Sequence, residues 1–294
     1  MVDLNGLVVC AVCHADLSVG STDSEGSCSC LQCGRYYTFE QGLYNMTPLP
    51  LPDEDLKFKW KTWQKLQDNG LLSYTRAPEF NLSIGHREDA QAFKDFCQLS
   101  GLILDIGCGP QAYPSYLPEI GTVVGVDPLV GQQPRGFSFL QGIGEYLPFR
   151  DDTFDHILYA SSLDHIINPK RSLAEAARCL VPGGHINLWI DGLASDHASP
   201  SPSGWKRYPL LAKKGLKSLS RHGWVSKMGT RRTISYLASV AKMTTPEGAS
   251  DYFHITHLNL AAVSTWLDEL NLITISKEEY PAFDSLFIKA RKAS

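Results

Sequence analysis

The chain has 294 residues, 43% of them hydrophobic and 20% charged, with a formal net charge of −4. That balance suits a globular protein with a sizeable core, in one large domain or two, and it lacks the overall basic charge of a nucleic-acid binder. No apolar run is long enough to span a bilayer, and "MVDLNGLVVCAVC" carries neither a basic leader nor a typical cleavage site, so a cytoplasmic location is expected.

The first element is a cysteine module. Five of the eight cysteines lie between residues 10 and 33. Cys10-x2-Cys13 and Cys30-x2-Cys33 are separated by sixteen residues, a spacing that points to Zn2+ held by two knuckles. Residues 1–46 are therefore read as a zinc ribbon with Cys10, Cys13, Cys30 and Cys33 as ligands. So small a module needs such a staple. Cys28 is a spare that competes with Cys30, Gly34 suits the second turn, and His14 reads as a surface residue. A redox pair or a site that has lost its metal are the competing readings. "TPLPLPDED" then reads as a linker, and Leu56, Trp60, Trp63 and Gln67 follow at helical spacing. The Trp pair is read first as an apolar packing face, with a substrate platform as the alternative. "HREDAQAFKDFCQL" is a second helix, completing a linker-and-helix region over residues 47–100.

From residue 101 strands and helices alternate. "LILDIG", "TVVGVD", "FSFLQ", "DHILYA" and "HINLWI" read as strands, with the helix "PKRSLAEAARCL" between the last two, closed by "VPGG". Alternation of this kind implies an α/β core with a mainly parallel sheet, residues 101–192. Residues 193–254 interrupt the pattern as an insertion. Between Asp196 and Glu247 there is no acidic residue, while ten Lys and Arg occur, Arg231 and Arg232 among them. The insertion reads as a basic lid over an anionic acceptor. A membrane-surface contact, an RNA patch or a merely solvated face are its alternatives. Residues 255–294 return to the core with a helix and two strands.

The stretch "LILDIGCGPQAY" decides the chemistry. Gly107-x-Gly109-x-x-Ala112 formally fits a dinucleotide loop, and a plain tight turn is the bland reading. No Lys-Ser or Lys-Thr follows, so this is not a P-loop. Asp127 closes the next strand, where an acid can take ribose hydroxyls, and that suits NAD or S-adenosylmethionine (SAM) equally. Asp105 separates them. A carboxylate there repels a pyrophosphate but suits the cationic ammonium and sulfonium of SAM.

The order of "DIGCGP", "GVDP", "GEYLPFRDDTFDHILYASSLDHIINP" and "SLAEAARCLVPGGHINLWI" resembles the class I SAM-dependent methyltransferases, in the type 11-like branch. The layout with an N-terminal four-cysteine ribbon is similar to the ribosomal-RNA large-subunit guanine-N1 methyltransferases. The resemblance implies a Rossmann-like, seven-stranded sheet, parallel except for one strand, with SAM as cofactor. It implies that Asp105, Gly107, Cys108 and Gly109 surround the methionine part. Asp127 would take the ribose, with Pro128, Leu129, Ile143, Gly144 and Glu145 around the adenine and Ser161 on the methyl side. Gln111 replaces a frequent third glycine, Ile143 stands where an adenine-binding Asp is common, and Pro114 implies a short or irregular first helix.

Acceptor residues should project from the carboxyl ends of the strands. Asp164 and His165 in "SSLDHI" are the catalytic candidates, His165 as general base or as a group that orients the loop. Asp191 is a weaker candidate. His254 and His257 read as substrate contacts or caps, because His-x2-His without a nearby carboxylate pattern argues against a metal. The expected acceptor is an O or N atom of an anionic small molecule. A ribosomal-RNA base, or a binding role exerted through the ribbon, are the alternatives.

Overall fold

The computed structural model describes residues 2–4, 6–19, 25–40, 42–76, 88–118, 122–132, 134–191, 243–255, 257–281 and 284–293. The basic insertion, with Arg231 and Arg232, lies largely outside the described residues. Four short antiparallel strands open the chain: β1 (Leu17–Val19), β2 (Glu25–Cys30), β3 (Tyr36–Glu40) and β4 (Leu43–Asn45). Helix α1 (Glu54–Arg76) begins where Asp53 Oδ1 accepts the Leu56 N–H at 3.0 Å, and Glu54 and Asp55 favour its positive end. Helix α2 (Glu88–Cys97) follows and buries Ala90, Phe93 and Cys97.

The α/β core then forms as expected. Its strands are β5 (Leu102–Ile106), β6 (Thr122–Asp127), β7 (Ser138–Gln141), β8 (Phe154–Ala160) and β9 (Leu180–Asp191). All their pairings are parallel. Near-continuous burial along β5, β6 and β8 is what a sheet covered on both faces requires. Helix α3 (Pro169–Cys179) has Pro169 at its first turn and Asn168 as cap, its Oδ1 accepting the Arg171 N–H at 3.1 Å. Helix α4 (Leu260–Glu269), β10 (Leu272–Tyr280) and β11 (Ser285–Lys292) complete the core, with β11 antiparallel to both neighbours. The "VPGG" segment, read as a helix-closing turn, is already part of β9, which begins at Leu180.

The sheet differs from the seven strands expected. It has eleven, in the order β1-β2-β3-β4-β7-β6-β5-β8-β9-β11-β10. The reason is local to β4. Tyr44 and Asn45 pair in parallel with Leu140 and Gln141 of β7, so the cysteine module continues the sheet instead of standing apart. Arg150 ties to Asp16, and His14 Nε2 lies 3.3 Å from Glu175 on α3. The seven strands β5 to β11 keep the expected order of directions, with β11 alone reversed. Among the described residues no helix follows the glycine loop, in keeping with Pro114.

Candidate active site

Parallel strands leave a crevice beyond their carboxyl ends where the order reverses about the first strand of the core. Here that crevice lies beyond β5 and opens into a cavity of about 660 Å3. Gly107 and Gly109 form its floor with φ values of 75° and 70°, a region that disfavours side chains. A Cβ on Gly107 would sit 2.5 Å from the Ser162 Cβ, so this cradle admits only glycine.

Two buried acids shape the loop. Asp127 Oδ2 accepts the Gly109 N–H at 2.8 Å and its Oδ1 accepts the Leu129 N–H at 2.7 Å. Burial pushes its carboxyl up to about 6. Asp127, Pro128, Leu129, Ile143, Gly144, Glu145 and Ser161 all line the cavity, as do Gly107 and Gly109. Asp105 sits one layer behind. The hydroxyl of Tyr116, which does reach the cavity, donates to Asp105 Oδ2 at 2.9 Å, and Oδ1 has no hydrogen-bond partner among the described residues. Burial lifts the Asp105 carboxyl to about 7. The Cys108 thiol packs inward, where a Cβ on Gly125 would meet its sulfur at 2.7 Å. Glu145 is tied by the Asn168 N–H at 3.0 Å and is pushed up to about 7 by burial, so it also braces the start of α3.

Arg135 gave no sequence signal, yet it bolts the loop. Its guanidinium donates to the carbonyls of Gly109, Gln111, Leu129 and Val130 and lies 3.7 Å over the Phe139 ring. Helix α1, read first as a packing element with a substrate platform as the alternative, also contributes to the site. Trp63, Gln67, Gly70 and Tyr74 line the cavity, and Trp63 Nε1 donates to the His165 carbonyl at 2.8 Å. Only the helical apolar face was legible. That this face closes a ligand cavity depends on contacts distant in sequence.

The acceptor end gathers the candidates from two segments. Asp164 and His165 form a short 3-10 turn after β8, and Phe253 and His254 lie against it. His254 Nε2 is 3.2 Å from Asp164 Oδ2, and its Nδ1 is 2.8 Å from Asp251 Oδ2. Burial opposes charge on His254, but the two carboxylates overcome it and push its pKa up to about 10. His165 moves the other way, lowered mainly by burial. The Phe253 carbonyl is 3.3 Å from His165 Nδ1, which favours a proton there and leaves Nε2 available. His257 stands at the rim, 47% exposed, with Nε2 3.7 Å from Asp251. Asp191 accepts the Ser161 hydroxyl at 2.7 Å and thereby holds that left-handed residue (φ 54°) in place.

In the N-terminal module the four cysteines converge as the spacing required. Their Sγ atoms all lie within 4.8 Å of one another, with Cys10–Cys33 at 3.6 Å and Cys13–Cys30 at 3.3 Å. Backbone N–H groups of Gln32 and Cys33 point at Cys30 Sγ, each at 3.4 Å, as in a metal knuckle. Cys28 is outside the cluster, its thiol facing the Tyr37 carbonyl.

The family model for a methyltransferase domain matches residues 104–188. An uncharacterized methyltransferase of Schizosaccharomyces pombe is 34% identical over 105 residues, which is 29% of this chain and 37% of that protein. The chain therefore spans little more than a third of that relative's length. The demethylmenaquinone methyltransferase of Listeria monocytogenes is 26% identical over 53% of this chain and 72% of its own. Among solved structures, the 1,6-didemethyltoxoflavin-N1-methyltransferase of Burkholderia thailandensis, with S-adenosylhomocysteine bound, aligns at a TM-score of 0.48 and 12% identity. That alignment covers 90% of this chain and 98% of the other.

The cavity's donor set fits a cationic, ribose-bearing ligand. The glycine cradle meets Asp127, a buried carboxylate on the cavity wall, with the unpartnered Asp105 oxygen in the layer behind, and no lysine follows the loop to receive phosphates. The glycine loop, β6, β7, β8 and the His165 turn all fall inside the segment, residues 104–188, that the methyltransferase-domain model matches.

Proposed function

We propose that the protein is a SAM-dependent methyltransferase that acts on an O or N atom of an anionic small molecule. The observation that carries this reading is one continuous cavity that joins the Gly107–Gly109 cradle and Asp127 to the Asp164–His165 turn. SAM, when bound, supplies an activated methyl group, so the protein's own work is to align the acceptor and manage its proton. Asp127 takes the ribose hydroxyls with the lone pairs that the Gly109 and Leu129 amides leave free. Pro128, Leu129 and Ile143 frame the base. Asp105 acts on the amino-acid end through Tyr116. Gln111 lines the cavity where a third glycine is frequent and fixes the loop by donating to the Cys108 carbonyl at 2.9 Å.

On the acceptor side His165 offers a neutral Nε2 to the acceptor's proton and Asp164 orients it. His254 and His257 face the same end. The anionic character of the acceptor rests on the basic stretch containing Arg231 and Arg232, outside the described residues. The four-cysteine cluster holds one structural Zn2+, since its thiols match a closed tetrahedral donor set. Incubating the full chain with methyl-labelled SAM and a fractionated cell extract tests the reading. Label should enter an anionic small-molecule fraction. Label in RNA alone would replace the acceptor class, and label in no fraction would overturn the activity.

A further inference from the structure

The acceptor end holds a second cluster of metal-capable groups, made only when residues 251–254 come against the turn after β8. Asp164, His165 and His254 each present one ligand atom, all within 4.8 Å of one another. Around a divalent ion with bonds of about 2.0–2.2 Å, neighbouring ligand atoms stand roughly 3.0–3.5 Å apart. Asp164 Oδ2 to His254 Nε2 is 3.2 Å, already in that range, while His165 Nε2 stands 3.8 Å from the carboxylate's other oxygen and has to move in.

The groups behind the ligands are the stronger observation. A metal-binding imidazole characteristically gives its other N–H to a carboxylate or a backbone carbonyl, which fixes the tautomer and aims the ring. Both histidines here do so. His254 Nδ1 faces Asp251 Oδ2 at 2.8 Å and Oδ1 at 2.9 Å, and His165 Nδ1 faces the Phe253 carbonyl at 3.3 Å. Asp251 is in turn anchored through Oδ1 by the N–H groups of Phe253 and His254, at 2.8 and 2.9 Å. Each ring thus directs Nε2 toward the same carboxylate.

We propose that Asp164, His165 and His254 form a divalent transition-metal site at the acceptor end of the cavity, with Asp251 and the Phe253 carbonyl as its supporting acceptors. Two imidazoles and one carboxylate suit borderline cations such as Zn2+, Fe2+ or Co2+ better than Mg2+ or Ca2+. The ion takes the place of the proton between His254 Nε2 and Asp164 Oδ2. Three protein ligands leave positions open for water or an acceptor oxygen, which is the arrangement of a working site and not of a closed structural one. His257 is not a ligand. It shares Asp251 with His254 but lies at the exposed rim, and Asp251 is committed to His254. This deepens the reading of the acceptor as an oxygen-bearing anion, and it rests on that reading only for the acceptor. A bound cation would acidify the acceptor oxygen, with His165 serving as ligand in place of base.

The test uses Co2+ added to the zinc-replete full chain, so that the thiolate cluster is already filled. One Co2+ per chain should bind with visible d–d bands and without the near-ultraviolet thiolate charge-transfer band. His254→Gln and Asp164→Asn should each lose it, and Asp251→Asn should weaken it about 10–100-fold. His257→Ala should bind as the parent does. Thermal unfolding of each variant shows that it remains folded. The proposal is overturned if the parent takes up no Co2+ beyond the thiolate cluster, or if folded His254→Gln binds it undiminished. It is also overturned if His257→Ala abolishes binding, which would move the ion to the rim. S-adenosylhomocysteine binding, measured on the same samples, separates this outcome from failure of the methyltransferase reading.

Discussion

Arg135→Ala removes a brace that touches no ligand. The guanidinium donates to Gly109 at 2.6 Å, to Gln111 at 3.2 Å, and to Leu129 and Val130 at 3.0 Å each. The Val130 bond is exposed, and water replaces it cheaply. The other three are partly buried, and at about 0.5–1 kcal/mol each they give about 2 kcal/mol. The stack over Phe139, partly open to solvent, adds about 0.5–1 kcal/mol. A loss of about 2–3 kcal/mol is therefore expected in urea unfolding. Part of it should fall on the loop itself, because Gly109 and Leu129 are the two residues whose N–H groups Asp127 holds. A loop released on one side must be ordered again by the ligand, so S-adenosylhomocysteine affinity should drop about tenfold, or about 1.4 kcal/mol. Arg135→Lys should recover little, since an ammonium cannot span four carbonyls in two loops. Calorimetric titration on folded protein reads the affinity directly. Parental affinity in Arg135→Ala, with under about 0.5 kcal/mol lost in stability, would refute the bracing role.

Asp127→Ala should weaken S-adenosylhomocysteine by about 1–3 kcal/mol, because it strips the proposed ribose acceptor and orphans two loop amides; calorimetry checks this. Gly125→Ala places a Cβ 2.5 Å from Phe137 and 2.7 Å from the Cys108 sulfur, so about 1–3 kcal/mol of stability should be lost without a change in metal content. Asp105 gives a pH signature. Its folded pKa is raised to about 7 from 3.8, so the protonated acid stabilises the fold fully below about 4, and that contribution fades as pH rises through 7. Asp105→Asn, which mimics the neutral acid, should therefore gain stability relative to the parent between about pH 5 and pH 8; a constant difference would show that Asp105 does not titrate there. Cys10→Ser/Cys33→Ser should lose one zinc per chain by elemental analysis and destabilise the β1–β4 module, and unchanged zinc content would remove the ribbon assignment.

What the sequence revealed follows the range of the interactions. The glycine loop, Asp127 and the paired-cysteine spacing are local patterns, and each stands where its pattern placed it. The α/β core was equally legible, since alternation of strand and helix is written along the chain. Features built by docking were not. The β4–β7 pairing that merges the module into the sheet involves only two residue pairs and leaves no period to detect. Trp63 read as a packing residue because its partner, the His165 carbonyl, is brought near only by the folded sheet. Asp251, three residues before His254, is a local partner that the His-x2-His spacing alone did not reveal, while Asp164 at 3.2 Å is supplied only by folding. Arg135 belongs to no motif, and its role lies wholly in the carbonyls that two loops turn toward it.

The central claim is that the cavity beyond β5 is a SAM site and not a dinucleotide site. Titration calorimetry of the zinc-replete chain with S-adenosylhomocysteine, repeated in the presence of NAD, tests it most directly. The expected result is saturable one-to-one binding of S-adenosylhomocysteine that NAD does not displace. Tighter binding of NAD, or no S-adenosylhomocysteine binding by folded protein, would contradict it.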